Sequence, residues 1–209
     1  MNAEKVLYTI NQIAEKYESS IAQTPEFEAL AQSLREEIAL AEQKKAGKAD
    51  RFKAALRFSK KCHKEQQATR PNMAGAYIDQ NGRQCLVHPH MAVRYDKPFD
   101  GLVEAEEGNR LGSLDKMLET YDSSKSFVLP ELGHLKTMMK LDKAEGRLDD
   151  QGRSHTNLDG VIYSTEYLIQ LIEMVEPTQA HFSSGRNYPL LVVSGDGANG
   201  ILCPIRVNG

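Results

Sequence analysis

Val6, Ile10, Ile13 and Tyr17 recur at helical spacing, as do Phe27, Leu30, Leu34, Ile38 and Ala41, so two amphipathic helices are predicted within residues 1–48. Thr24 followed by Pro25 reads as an N-cap with proline at the first helical position, which fixes the start of the second helix. The two segments make an N-terminal helical hairpin. The polar run from Glu42 to Asp50, interrupted by Gly47, is its expected boundary, although a surface loop inside one domain accounts for it equally well.

Beyond Asp50 helical and β-rich stretches alternate. Helices are predicted over 51–65, 111–120, 131–145 and 165–175; the last carries Tyr167, Leu168, Leu171, Ile172 and Val175 on one side, with Pro177 just past its end. Strands are predicted over 73–79, 83–88, 91–95, 126–129, 179–183, 189–194 and 200–207. Asn81-Gly82 marks one hairpin turn, and the segment from Gly195 to Asn199 marks another between two apolar runs. Residues 146–160, rich in Gly, Asp and Arg, offer little to bury and are expected to form a long mobile loop. The chain therefore reads as α+β, with a hairpin over 1–48 and an α+β domain over 49–209.

Composition narrows the class. A chain of 209 residues with 40% hydrophobic and 26% charged residues can bury a core without disulfide or metal staples. No stretch approaches the roughly 18 apolar residues of a membrane span, so no membrane partner is expected. Cys62, Cys85 and Cys203 are odd in number and far apart, which suits free thiols, and the N-terminus lacks a leader-like apolar run; the expected location is the cytoplasm. With a formal net charge of -3, any affinity for nucleic acid has to be local.

Such a local feature exists. Lys53, Arg57, Lys60 and Lys64 fall within one stripe of the 51–65 helix, opposite Phe52, Ala55, Leu56, Phe58 and Cys62. Lys136, Lys140 and Lys143 repeat the pattern on the 131–145 helix. A cationic stripe is either a solvated helix face or a contact for a phosphate backbone. No aromatic residues interleave with these cations, so a stacking platform for single strands is not indicated.

Cys85, His88 and His90 carry zinc-ligand chemistry, but no second pair at ligand spacing accompanies them, and alternation along a strand yields the same cluster. No P-loop, dinucleotide or Gly-x-Ser-x-Gly fingerprint occurs, so no cofactor is expected and the chain reads as non-enzymatic. The enzyme alternative is a site assembled from His88, His90 and distant carboxylates.

The C-terminal segments Tyr167 to Ile172, Ala180 to Ser183, Tyr188 to Val192 and Gly200 to Val207 resemble the end of the DNA polymerase sliding clamps, the bacterial beta-subunit clamps and more distantly proliferating cell nuclear antigen. In that family a Tyr-Leu-containing helix leads into three strands, the penultimate opening at Pro-Leu and the last closing with Met-Pro-x-Arg-hydrophobic; Cys203 stands here at the methionine position. Phe52 to Phe58 with Arg70 to Asp79, and Phe127 to Pro130, resemble upstream clamp segments, so the likeness covers about residues 51–95 and 126–207. It implies βαβββ units with an antiparallel sheet outside and helices facing duplex DNA. On that resemblance Lys53, Arg57, Lys60, Lys64, Lys136 and Lys140 would contact DNA phosphates. Ile201, Cys203, Pro204 and Ile205 would hold the hydrophobic peptide of a client protein, and a homo-oligomer is expected. The alternative is a protein-interaction or oligomerisation module without DNA binding, paired through its N-terminal hairpin.

Overall fold

Nearly continuous burial along the central strands, with successive side chains on opposite faces, places two apolar layers on opposite sides of one sheet. The computed structural model describes residues 3–17, 24–105, 113–119, 121–184 and 189–205. In chain order the helices are α1 (Ala3–Tyr17), α2 (Pro25–Lys45), α3 (Ala49–Gln66), α4 (Asp115–Leu118), α5 (Leu132–Ala144) and α6 (Thr165–Val175). The strands are β1 (Ala76–Ile78), β2 (Gln84–His88), β3 (Met91–Tyr95), β4 (Tyr121–Ser126), β5 (His155–Leu158), β6 (Val161–Ser164), β7 (Gln179–Ser183), β8 (Leu191–Gly195) and β9 (Ala198–Leu202). Seven of them form one sheet in the order β1-β2-β3-β9-β8-β7-β4, every neighbouring pair antiparallel, while β5 and β6 make a separate hairpin. The protein is thus α+β.

Leu86, Met91, Val93, Tyr95, Leu191, Val193, Ala198 and Leu202 face the helical side. There they meet Phe52, Ala55, Phe58 and Cys62 of α3, Leu168, Leu171, Met174 and Val175 of α6, and Leu135 of α5. The residues between them in sequence point the other way: Cys85, Val87, Ala92, Val192 and Ile201 form a second apolar cluster with Leu118 of α4 and Leu114 just before it.

The order of elements is repeated. α3 leads into the meander β1-β2-β3 and α6 into the meander β7-β8-β9; α3 lies beside α6, and the last strands of the two meanders, β3 and β9, pair at the centre of the sheet. A strand precedes the helix only in the second half, where α5 and the β5–β6 hairpin intervene between β4 and α6.

Thr24 caps α2 as read from sequence, its Oγ1 accepting from the Phe27 N–H. The buried face of α2 differs from the expected one. Ala31 and Ala39 are buried while Leu30 is 50% exposed, because α2 is wedged between α1 and α3, where small side chains permit close approach. Ala39 joins the main core and Gln32 Nε2 donates to the Gly101 carbonyl.

The predicted loop over 146–160 is corrected: its second part forms β5, which pairs with β6 across Asp159-Gly160. Both turn residues have positive φ, 48° and 85°, the backbone of a two-residue hairpin turn, so this Asp-Gly dipeptide was the missed signal. The strand predicted over 126–129 instead runs over 121–126, leaving Phe127 and Leu129 to pack on the core and Val128 93% exposed. Pro71–Met73 is a 3-10 turn, which shortens the strand expected over 73–79. Tyr188, Arg206, Val207 and residues 111, 112 and 120 lie outside the described residues.

Candidate functional site

The basic face is assembled from two helices with a third between them. On α3 the residues Phe52, Ala54, Ala55, Phe58, Ser59 and Cys62 are buried, which turns Lys53, Arg57, Lys60 and Lys64 outward. On α5 burial of Leu135 leaves Lys136 and Lys140 exposed. α6 packs against both α3 and α5, and Lys53, Arg57 and Lys136 line one cleft beside it, while Lys60 turns to Glu36 of α2.

That surface is not uniformly positive. Lys53 pairs with Asp50 at 3.1 Å and Lys60 with Glu36 of α2 at 2.7 Å. Arg57 and Lys136 meet on a single carboxylate: Glu173 receives Arg57 Nη2 at 2.9 Å on Oε2 and Lys136 Nζ at 2.6 Å on Oε1. Lys61, which the stripe did not include, pairs with Glu166 at 2.9 Å and lies 4.5 Å above the Tyr167 ring. Lys64 and Lys140 take part in no ion pair among the described residues. The sequence reads the outward residues of α6 as Glu166, Gln170 and Glu173, but carries no signal that two of them neutralise α3. Arg57, Lys53 and Lys136 rim an open cleft of about 700 Å³ floored by Leu129, Leu132 and Ile172.

The opposite side of the sheet holds an apolar groove. Strand register aligns Val87, Ala92, Ile201 and Val192 in one row across β2, β3, β9 and β8. Ile201 and Cys203 line a space of about 370 Å³ together with Met73, Val87, Leu114 and Met117. Two of the four residues matched to the clamp peptide site therefore meet here. Pro204 and Ile205 are half-buried and off the groove, the Ile205 N–H donating to the Ile162 carbonyl next to the β5–β6 turn.

One wall of the groove is α4, pinned by charge. Asp115 accepts from Arg83 Nη2 at 2.7 Å and from Arg94 Nη1 at 2.5 Å, and Asp79 supports Arg83 from behind. The hydrogen bond from Arg83, then that from Ser113, holds the Asp115 carboxyl down to about 2. A carboxyl depressed in the folded state stabilises that state fully above its unfolded value of about 4, and the contribution disappears as pH falls through the folded value. Asp115→Asn is therefore expected to loosen α4 at neutral pH, read as faster amide exchange over residues 113–119. The difference between wild type and variant should close between about pH 4 and pH 2. A difference that persists unchanged at pH 2 contradicts the pinning.

Cys85, His88 and His90 do not converge. Alternation sends Cys85 to the outer cluster and His88 to the helical side. His88 Nε2 lies 3.2 Å from Glu65 Oε2, and the His90 N–H donates to its Nδ1, which assigns the ring proton to Nε2. The rings of His88, His90 and Tyr167 contact one another at 5.2–5.4 Å. Burial is the main cause that lowers the pKa of both imidazoles, and they pack as neutral rings. Among the described residues no group of three His, Cys, Asp or Glu is placed to hold a metal ion, and no helix is long and apolar enough to cross a membrane.

Comparison with protein-family models, with curated proteins and with solved structures finds no match to this chain.

Proposed function

We propose that this chain is a non-enzymatic, sliding-clamp-like binding protein. Its helical side rests on the phosphates of duplex DNA, and its outer groove takes a hydrophobic segment of a client protein. What carries the reading is the approach of α3 and α5: Arg57 and Lys136 come close enough to share Glu173, with Lys53 on the same cleft. The repeated helix-and-meander order, with α3 beside α6 over a continuous antiparallel sheet, supports the clamp comparison made from sequence.

The ion pairs set the expected strength. An intramolecular carboxylate competes with a phosphate for its cation, so Lys64 and Lys140 are the cations most available and binding is weak and sequence-independent. Weak contacts suit a protein that moves along DNA. Charge reversal at both, Lys64→Glu with Lys140→Glu, should weaken binding of a short duplex about tenfold or more near 50 mM salt. It should also flatten the plot of log affinity against log salt by about 2. Fluorescence anisotropy across a salt series measures both; no binding at low salt, or binding indifferent to salt, rejects the DNA contact.

A second reading is a protein-interaction module that never meets DNA. It is favoured by the same ion pairs, which engage Lys53, Arg57, Lys60 and Lys136 within the molecule, and by the apolar groove at Ile201 and Cys203. The low-salt anisotropy measurement separates the two.

A further inference from the structure

We propose that Glu173 is an internal stand-in for a DNA phosphate, occupying the position between α3 and α5 that a backbone phosphate takes when the surface is engaged. This inference rests on the DNA-contact reading above and adds the residue that limits it.

The geometry is that of a bridging oxyanion. Each carboxylate oxygen of Glu173 serves a different helix, Oε2 the Arg57 guanidinium of α3 and Oε1 the Lys136 ammonium of α5, at 2.9 and 2.6 Å. A phosphodiester presents the same two features, a delocalised negative charge and two acceptor oxygens able to bridge two cations. The cations themselves remain open to solvent, their side chains 65% and 45% exposed, whereas the carboxylate between them is only 19% exposed. A phosphate can therefore reach the donors from outside and displace Glu173 from them. The cleft around this triad is wide, about 700 Å³, and Lys53 stands on the same rim. No covalent step is involved; the exchange is one anion for another on the same two donors.

Glutamine at this position keeps the size and the hydrogen-bonding oxygen but removes the charge, so it frees two cations at once. Glu173→Gln should bind a short DNA duplex about tenfold more tightly at low salt, and the log affinity against log salt slope should steepen by about 2. Glu28→Gln, which changes net charge equally on α2 outside the cleft, is the control and should leave both quantities close to wild type. Tighter binding by Glu173→Gln alone supports the proposal, and so does binding by that variant where wild type shows none. Wild-type binding that Glu173→Gln leaves unchanged or weakens overturns the phosphate stand-in while the DNA contact survives. If neither protein binds at low salt, both the inference and the DNA-contact reading fall. A thermal melt accompanies each variant, because a purely structural role for Glu173 lowers stability without raising affinity.

Discussion

Gly195→Ala is expected to cost about 3 kcal/mol of folding stability, at the upper end of overpacking effects. An added Cβ would sit 2.4 Å from the Val175 carbonyl oxygen and 2.7 Å from that of Glu176, both at the end of α6. Backbone oxygens have no rotamer through which to escape, so relief requires lifting the end of α6 from the sheet. That movement would pull Val175 and Met174, both fully buried, out of the core. Urea denaturation reads the loss directly; a change below about 1 kcal/mol would mean that the joint yields more easily than close-packed interiors generally do.

Arg51→Met should be of similar size, about 2–3 kcal/mol, because it strands the Val175 and Asp196 carbonyls, to which no other side chain among the described residues donates. Arg51 is 4% exposed. Its Nη1 donates to the Asp196 carbonyl at 2.6 Å, and its Nη2 to the Val175 carbonyl at 3.1 Å and to Glu176 Oε2 at 2.7 Å. One guanidinium thus ties the start of α3 to the end of α6 and to the β8–β9 turn. Arg51→Lys keeps the charge but loses the fork and should recover less than half of the loss. Since Gly195 and Arg51 both act on the Val175 carbonyl, the double variant should lose less than the sum of the two single losses. Additivity within about 0.5 kcal/mol would show that they belong to separate joints.

Much of the domain is legible from local pattern. α3, α5 and α6 form near the predicted limits because each has a clear apolar stripe, and α6 ends where Pro177 demands. The β8–β9 hairpin forms as predicted, tightened to Asp196-Gly197 between the paired residues Gly195 and Ala198. The misses are of two kinds. Asp159-Gly160 was legible and outweighed by the polar composition around it, whereas the buried face of α2 depends on two neighbouring helices that its own periodicity does not describe.

The candidate site divides in the same way. The cations on α3 and α5 follow from helical spacing, but their partners do not. Arg57 reaches Glu173 across 116 residues and Arg51 reaches Glu176 across 125, separations at which a sequence carries no pattern linking an acid to a base. Ile201 lines the groove because β9 alternates, and Cys203, one residue past its end and tied by its N–H to the His90 carbonyl, continues the row. Pro204 and Ile205 follow the end of that strand and leave the row.

The pairing of β3 with β9 has a kinetic consequence. These central neighbours come from the first and the last meander, so the sheet cannot close until both are available, and such non-local pairing predicts slow folding. During synthesis β3 emerges first, and its unpaired edge waits beside β2 while every intervening element is translated. That interval, more than the finished molecule, is where self-association and chaperone dependence would be concentrated.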